Sequence, residues 1–540
     1  MNAEAHAVGP AADRGDPGDP AGGAAREPAD AVAVDAGTAD PELNAALASA
    51  EPLSPELTAE YLEHHALFPV GRRNGALLAA TWVAAPDDQA LDDLRLLAGA
   101  PVVLVHLPEA EVRAAIRRVY TEGGLTAEDV IAGMGDDLRL GGEVDPALDD
   151  LVSLANEAPV VKLVNLLLLE ALEARASDVH LETYAGGVRV RYRVDGVLQD
   201  AAAPPRRLAA AVVSRLKIMA ELDIAERRVP QDGRIRLRMR DRQVDVRVST
   251  LPTLHGESVV LRLLDKEAGR IELEQLGMAE DTLRAFAEVV HRPHGIVLST
   301  GPTGSGKTTT LYAAIDRIRT GQEKILTVED PVEYELAGVP QVPVNEKVGL
   351  TFASALRSLL RQDPDIMLVG EIRDGETADI ATHAALTGHL VLSTLHTNDA
   401  ATALTRLVDL GIEPYLVAST VEAVLAQRLV RRVCAACRRA TPLGADQRIA
   451  LGVSQEELPE AFVGAGCAAC RGTGYHGRTG IYELLIMDDE LRTAVHEDAT
   501  AGHLTRMAVA KGMRTLREDG IRQIRAGATT PEEVLRVAAA

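Results

Sequence analysis

The chain has 540 residues, which is too long for one compact domain and predicts three or four. Apolar residues make up 46% and charged residues 25%, as in ordinary soluble globular proteins. A net charge of −24 argues against a protein that coats nucleic acid or anionic lipid with its whole surface. All four cysteines lie between 434 and 470, so a disulfide-stabilised secreted fold is not expected.

The amino-terminal segment predicts neither an export signal nor a folded domain. Residues 1–50 contain six glycines, five prolines, no aromatic residue, and nine acids against two bases, so we expect a disordered acidic tail. The most apolar later stretch, which starts at Pro159, contains Lys162, Asn165 and Glu170 and is too short and polar to span a bilayer. We therefore expect a cytoplasmic protein whose association with a membrane is indirect, through a partner.

Residues 51–135 are predicted to form a small amino-terminal α/β domain. The segment SPELTAEYLEHHALFPV begins with a Ser/Pro helix start and places Leu57, Tyr61 and Leu62 near helical spacing. The segments GALLAATW and PVVLVHL are typical of short strands. A polar linker is predicted over 136–150.

Residues 151–267 predict a second α/β domain. A helix, VVKLVNLLLLEALEARA, is followed by GVRVRYRVDGVLQD, in which Val and Arg alternate up to an Asp-Gly turn, as in a β-hairpin. The segment GRIRLRMRDRQVDVRVST repeats this pattern. One face of its first strand carries Arg234, Arg236, Arg238 and Arg240, and the other carries Ile235, Leu237 and Met239.

Residues 268–540 predict a third domain, built on a buried parallel sheet. Its predicted strands GIVLST, KILTVED, IMLVGE and HLVLSTL are short apolar runs separated by helical segments.

A phosphate-binding loop is predicted directly after the strand GIVLST. The segment GPTGSGKTT matches G-x-x-x-x-G-K-[ST] at every defined position and opens a helix. Its glycines let the backbone N–H groups face a phosphate, and the helix amino terminus adds a partial positive charge. Lys307 is expected to bridge β- and γ-phosphates and Thr308 to bind Mg²⁺. The predicted loop comprises Gly301, Pro302, Thr303, Gly304, Ser305, Gly306, Lys307, Thr308 and Thr309.

Acidic residues follow two neighbouring predicted strands. Glu371 comes after the run IMLV and is predicted to orient or deprotonate the attacking water. Glu329, Asp330 and Glu333 follow another strand, where they either hold Mg²⁺, through water or a hydrogen-bond network, or are solvated loop residues. His396 follows HLVLSTL and is a candidate γ-phosphate sensor or network member, and His389, before that strand, is a weaker candidate.

These motifs together resemble those of the hexameric ATPases of type II secretion and type IV pilus assembly. The resemblance is carried by GPTGSGKTTT, ILTVEDPVEY, DPDIMLVGEIRD and GHLVLSTLHTNDA, in that order, and is strong over about 150–540. It implies an α/β fold: a RecA-like P-loop ATPase domain, a preceding PAS-like α/β domain and the small amino-terminal α/β domain. It also implies ATP and Mg²⁺ as ligands and a homohexamer.

Within that superfamily, the resemblance favours the assembly ATPases of type II secretion systems. Such an ATPase is expected to contact an inner-membrane platform protein and a cytoplasmic arm of the secretion system, and to power pseudopilus growth and protein export. Nucleic acid is not an expected partner.

The resemblance also assigns roles to four arginines. Family arginines that reach nucleotide phosphates, partly from a neighbouring subunit, correspond to Arg247 and Arg262, and further family positions to Arg357 and Arg361. Planar guanidinium groups are suited to stabilising the charge of a phosphoryl-transfer transition state. A solvated strand face is the alternative, which we favour for Arg236, Arg238 and Arg240.

Paired cysteine motifs predict a structural zinc site. Cys434 and Cys437 form C-A-A-C, and Cys467 and Cys470 form a second C-A-A-C. Four thiolates from two such turns suit tetrahedral Zn²⁺, with two redox pairs or idle thiols as the alternative. The spacing resembles the tetracysteine insert of assembly ATPases, which places the predicted zinc insert at about 430–475.

Three other functions remain open. A type IV pilus assembly ATPase has the same chemistry and builds a different filament. A DNA-translocating ring ATPase is disfavoured by the acidic charge and the 3% aromatic content. A nucleotide-gated scaffold without hydrolysis differs from a motor in the role of Glu371.

Overall fold

The structure is a computed structural model that describes residues 59–73, 75–83, 86–116, 154–239, 242–265 and 271–538, with single positions at 50, 53, 54, 57, 119, 127 and 131. The predicted tail, except Ala50, and the predicted linker over 136–150 lie outside the described residues. Among the described residues, no helix is both long enough and apolar enough to cross a bilayer. The chain forms two units, up to Thr126 and from Ala127, and each is described by itself.

The first unit contains a three-stranded sheet of order β1-β2-β3, in which β1 and β2 are antiparallel and β2 and β3 are parallel. Its elements are α1 (Ala59–His64), β1 (Leu67–Arg73), β2 (Ala76–Thr81), α2 (Asp88–Ala98), β3 (Val102–His106) and α3 (Glu109–Ile116). Asp87 caps α2 by accepting a hydrogen bond from the Gln89 amide. The predicted strands β2 and β3 are present, and β1 is an additional strand that the sequence pattern did not indicate.

The second unit begins with a six-stranded antiparallel sheet of order β6-β5-β4-β9-β8-β7. Its elements are α4 (Ala158–Glu173), β4 (Ala176–Tyr184), β5 (Gly187–Val194), β6 (Val197–Ala201), α5 (Ala209–Met219), β7 (Gln231–Met239), β8 (Arg242–Thr253) and β9 (Gly256–Asp265). Both predicted hairpins are present, β5–β6 and β7–β8. One sheet face packs against α4 and α5 through residues such as Val179, Leu163 and Val212. The opposite face carries charged side chains.

The third part is a seven-stranded sheet of order β12-β11-β13-β14-β10-β15-β18, parallel except for β18. Its central strands β10, β11, β13 and β14 are fully buried apolar runs, which confirms the predicted parallel sheet. The elements up to this sheet's last parallel strand are α6 (Glu280–Val290), β10 (Gly295–Thr300), α7 (Lys307–Ile318), β11 (Ile325–Glu329), β12 (Gln341–Pro343), α8 (Phe352–Leu359), β13 (Ile366–Val369), α9 (Gly375–Leu386), β14 (Leu390–Leu395), α10 (Ala400–Asp409), α11 (Pro414–Thr420) and β15 (Val421–Val433).

A small two-stranded sheet interrupts the chain between β15 and the antiparallel edge strand β18. It pairs β16 with β17 and lies between the two cysteine pairs. The remaining elements are β16 (Arg438–Pro442), α12 (Ala445–Leu451), β17 (Glu460–Gly464), β18 (Tyr475–Ile486), α13 (Asp489–His496), α14 (Ala501–Ala510), α15 (Leu516–Arg525) and α16 (Pro531–Ala538). The strands before and after this insert, β15 and β18, pair over most of their length, so the chain rejoins the main sheet where it left it.

Candidate nucleotide site and cysteine centre

The candidate nucleotide residues follow four parallel strands at one edge of the seven-stranded sheet. Strands β10, β11, β13 and β14 are joined by parallel pairing, so their carboxyl ends lie at the same edge. The phosphate-binding loop follows β10, Asp330 follows β11, Glu371 follows β13 and His396 follows β14. In open α/β sheets this edge is where ligands bind.

The loop after β10 has the backbone that a phosphate cradle requires. Gly301, Gly304 and Gly306 have φ of 149°, 79° and 90°, where side-chain-bearing residues are strained. A Cβ at Gly301 would lie 2.6 Å from the carbonyl oxygen of Gln427, whereas one at Gly304 would meet open space. The loop is thus packed on β15 at its base and open at its tip.

Lys307 begins α7 and is buried beneath the loop. Its Nζ donates hydrogen bonds to the carbonyl oxygens of Gly301 (2.7 Å) and Pro302 (3.2 Å). Burial lowers the pKa of Lys307 to about 8, although the nearby carboxylate of Glu371 partly opposes that shift. A bound phosphate would supply a stronger partner than these carbonyls and would favour the protonated amine.

Glu371 lies at the end of β13 between two basic groups. Arg373 Nη2 donates to its Oε1 at 2.5 Å, and His396 Nε2 lies 3.3 Å from its Oε2. Burial favours the neutral acid, but the hydrogen bond and charge of Arg373, together with His396, outweigh it and hold the pKa of Glu371 below its ordinary value. The group is therefore a carboxylate near neutral pH, and His396 lies beside it.

The acids at the end of β11 and in the loop after it have different environments. Glu329 is buried, and its carboxylate accepts hydrogen bonds from Tyr312, from Thr327 Oγ1 (2.5 Å) and from Gln341 Nε2 (3.0 Å). Glu329 is thus held by side chains of the chain itself. Asp330 is exposed at the sheet edge. Glu333 lies with its Oε2 3.9 Å from Arg247 Nη2.

The four candidate arginines are not all in one place. Arg247 on β8 reaches the loop after β11, where its Nη2 also donates to the carbonyl of Val332 at 3.4 Å. Arg262, on the neighbouring strand β9, bonds Asp178 through Nε at 3.1 Å. Arg357 on α8 contacts Glu376 at 2.6 Å, and Arg361 donates to the Arg357 carbonyl at 2.9 Å. This last pair forms a separate exposed patch.

His389 has a structural environment. Its Nδ1 lies 2.9 Å from the carbonyl oxygen of Ala384 and 3.1 Å from the hydroxyl of Thr387, at the carboxyl end of α9. It thus closes the turn between α9 and β14.

Two residues of β15 complete the site and were missed in the sequence. Gln427 is buried, donates from Nε2 to the Ser305 carbonyl at 2.7 Å and accepts from the Ser299 hydroxyl at 3.2 Å. Arg428 beside it is also buried and donates from Nη2 to the carbonyl of Asn398 at 2.9 Å. The sequence did contain a signal for them, since Gln427 and Arg428 form a polar pair within the apolar run VEAVLAQRLV. Polar groups that are buried in a strand need specific hydrogen-bond partners, and such a pair therefore marks a candidate site.

The four cysteines converge on one point. Cys434 and Cys437 lie in the turn between β15 and β16, and Cys467 and Cys470 lie between β17 and β18. Neighbouring sulfurs are 3.7 to 3.9 Å apart, and all four lie within 4.8 Å of one another. A tetrahedral Zn²⁺ with bonds of about 2.3 Å requires sulfurs about 3.8 Å apart, so these residues fit that ion.

Backbone amides support the thiolate that such an ion requires. Burial opposes ionisation of Cys470, but hydrogen bonds from the N–H groups of Cys467 and Gly474 outweigh it and lower the pKa of Cys470, whereas burial raises the pKa of the neighbouring Cys437.

Comparison with known proteins places this arrangement in a family. The family described as type II/IV secretion system protein matches residues 153–536, and the MshEN domain matches residues 41–124. The chain belongs to the type II/IV secretion system protein family. The fold class predicted from the sequence, including its P-loop ATPase domain, is confirmed by this family and by the parallel sheet.

Similar proteins in this family span both branches of the superfamily. The chain is 49% identical to "Type II secretion system protein E" of Xanthomonas campestris pv. campestris over 89% of this chain and 84% of that protein. It is 46% identical to "Type IV pilus assembly ATPase PilB" of Myxococcus xanthus over 88% of this chain and 85% of that one. The X-ray structure of the Legionella pneumophila ATPase DotB shares the fold, with a TM-score of 0.53 and 22% identity, covering 70% of this chain and 96% of DotB.

Proposed function

We propose that this protein is the ATP-hydrolysing motor of a type II secretion system. The observation that carries the proposal is the position of Glu371 and His396 at the same sheet edge as the glycine-rich loop that ends in Lys307. A phosphate cradle alone binds nucleotide, whereas a cradle beside an ionised carboxylate has the parts needed for hydrolysis.

The residues divide the reaction between binding and water activation. The amides of the loop and the Lys307 amine would hold the β- and γ-phosphates, and the Thr308 hydroxyl would be a ligand of Mg²⁺. Glu371 accepts a hydrogen bond from the attacking water and orients it toward the γ-phosphorus. Arg373 and His396 keep Glu371 ionised and fix its direction.

Arginines of the six-stranded sheet supply positive charge to the transition state. Arg247 already touches the loop after β11, and Arg262 is its direct cross-strand neighbour. Guanidinium groups stabilise the charge spread over phosphoryl oxygens. Loss of phosphate after hydrolysis would remove an anionic bridge between the two sheets and let them rotate relative to each other.

The cysteine centre is proposed to hold one structural Zn²⁺. Cys434, Cys437, Cys467 and Cys470 would occupy all four tetrahedral positions, which leaves none for a substrate. The ion would close the insert at its base and stabilise the turn between β15 and β18.

We further propose a homohexamer at the inner membrane, attached through partners. The family resemblance supports the ring, an inner-membrane platform protein as the load, and a cytoplasmic arm as the docking partner of the amino-terminal domain. A pilus assembly ATPase is the second candidate, because the Myxococcus xanthus relative at 46% identity carries that name. Complementation of strains lacking either ATPase separates the two, since the proposal requires restored secretion rather than restored pili.

Titration calorimetry and turnover assays on the full chain test the motor itself. With Mg²⁺ present, the wild-type protein is expected to bind and hydrolyse ATP, Glu371→Gln to bind it and lose most hydrolysis, and Lys307→Ala to lose binding. Full turnover by Glu371→Gln would refute the assignment of the base. Binding without hydrolysis by the wild-type hexamer would favour the scaffold alternative.

A further inference from the structure

One cross-strand row of the six-stranded sheet contains four arginines and one carboxylate. Arg234 on β7 pairs with Arg247 on β8, Arg247 with Arg262 on β9, Arg262 with Asp178 on β4, and Asp178 with Arg193 on β5. Directly opposite residues of antiparallel strands lie on the same sheet face. Asp178 is therefore placed between Arg262 on one side and Arg193 on the other.

The contacts of Asp178 make it an anchor for Arg262. Its Oδ1 accepts from Arg262 Nε at 3.1 Å, and its Oδ2 lies 3.6 Å from Arg193 Nε and accepts from the Ser177 hydroxyl at 2.8 Å. The side chain of Asp178 is only 10% exposed, whereas that of Arg262 is 56% exposed. Because the hydrogen bond to Asp178 uses Nε of Arg262, it leaves the two terminal Nη groups available for a second anion.

Such a row is unfavourable unless a negative group compensates it. Arginines directly opposite each other on neighbouring strands repel, as Arg234, Arg247 and Arg262 do here. Asp178 neutralises part of this charge within the sheet. Arg247 contacts Val332 and Glu333, so the row faces the loop after β11, which follows a strand ending at the candidate nucleotide edge.

We propose that Asp178 is a positioning residue that fixes Arg262 for phosphate. This inference rests on the proposed function and adds a residue that does not itself touch nucleotide. The fixed Nε contact holds the guanidinium plane in place, so both Nη groups are presented to phosphoryl oxygens with less loss of side-chain entropy. Arg262 thereby serves two anions at once, Asp178 through Nε and phosphate through Nη.

Steady-state ATPase kinetics of the full-length hexamer test this role. Asp178→Ala is expected to lower kcat about tenfold, because a hydrogen bond to a charged group is lost, and to leave KM for ATP within about twofold. Asp178→Asn, which keeps an acceptor oxygen, is expected to lose less. In an Arg262→Ala background, Asp178→Ala is expected to cause no further loss, since the anchor acts only through Arg262.

A second variant leaves Asp178 untouched. Arg262→Lys keeps the positive charge but replaces the guanidinium group with a single amine. Because an amine lacks the planar fork that bonds Asp178 and phosphate together, this variant is expected to lose as much kcat as Arg262→Ala. Full activity of Arg262→Lys would overturn the proposal, and so would unchanged or faster turnover by folded Asp178→Ala.

The matched control is Glu182→Gln on the same strand. Glu182 binds Arg191 at 2.6 Å on the same sheet but outside the arginine row, so this variant is expected to retain wild-type kcat. Equal losses in Glu182→Gln and Asp178→Ala would show a general effect of sheet charge and overturn the specific role. Absence of ATPase activity in the wild-type hexamer would instead refute the proposed function.

Discussion

Arg247 and Glu333 join the six-stranded sheet to the seven-stranded sheet, with Arg247 Nη2 lying 3.9 Å from Glu333 Oε2. The same nitrogen donates to the Val332 carbonyl, so the arginine is held at the entrance of the loop after β11. Burial lowers the pKa of Arg247, and the carboxylate of Glu333 partly offsets that desolvation. A phosphate arriving at this edge would be a second anionic partner within the same reach.

Arg247→Lys is expected to reduce kcat for ATP by about tenfold or more, because an ammonium cannot bond a carbonyl and a phosphate in one plane. Steady-state assays measure this effect, and circular dichroism checks that the variant is folded. Arg236→Lys is the control, since Arg236 lies exposed on β7 of the same sheet. Equal effects of the two substitutions would contradict a specific role for Arg247.

Binding of ATP is expected to take up protons at alkaline pH because of Lys307. Its pKa is about 8 in the nucleotide-free protein, so the amine is largely neutral at pH 9. A bound triphosphate raises that pKa, and the amine then gains a proton. ATP affinity should therefore fall as pH rises through about 8.

Calorimetry at pH 9 in two buffers of different ionisation enthalpy measures this uptake. We expect an uptake approaching one proton for each ATP bound at pH 9, and clearly less at pH 7. The same measurement on Glu371→Gln, which keeps the lysine, is expected to show uptake again. Equal proton numbers at both pH values would contradict the low pKa of Lys307.

The sequence was informative where local pattern decides structure. Strands β10, β11, β13 and β14 are short and mostly apolar, and each was located because a strand that is buried on both faces produces a continuous apolar run. Strand β15 was missed, since its apolar run is interrupted by Gln427 and Arg428, whose partners lie on other segments. The amino-terminal strand β1 follows α1 too closely for its pattern to be separated from the helix.

The arginine row is a further feature that local pattern does not reveal. The hairpin of β7 and β8 was predicted, and with it the alternation of arginines. The position of Asp178 opposite Arg262 depends on the pairing of β4 with β9, which are 84 residues apart at this contact. Register between such distant strands is fixed by packing of the whole sheet, so a single sequence does not specify it.

Gly301→Ala is expected to damage the phosphate-binding loop through a clash and not only through backbone strain. The added Cβ would lie 2.6 Å from the backbone oxygen of Gln427, which cannot move without shifting β15. We expect ATP affinity to fall by at least about tenfold, and calorimetry measures it. Gly304→Ala is the control, because Gly304 has positive φ (79°) in the same loop, but an added Cβ would meet nothing within 4 Å. A similar loss of affinity in both variants would mean that strain alone is responsible.

Removal of the proposed zinc is expected to destabilise the protein, although the ion does not contact the phosphate-binding loop. Cys434 and Cys470 are buried, so their thiolates would be left in a low-dielectric site if the ion were lost. Cys434→Ser with Cys467→Ser should abolish metal binding and lower the melting temperature by roughly 10 °C. Metal analysis of the wild-type protein should find about one zinc per chain.

A cysteine-specific reagent separates this structural role from a redox one. If Zn²⁺ holds the four thiolates, the folded wild-type protein should react slowly, and addition of a chelator under mildly destabilising conditions should release the metal and expose four thiols together. Lys307→Ala is the control, because it removes nucleotide binding and should retain both zinc and melting temperature. Disulfide formation in the metal-free wild-type protein without loss of stability would contradict a structural zinc. The sulfurs, which lie 3.7 to 3.9 Å apart, would then be placed for thiol oxidation and not for metal binding.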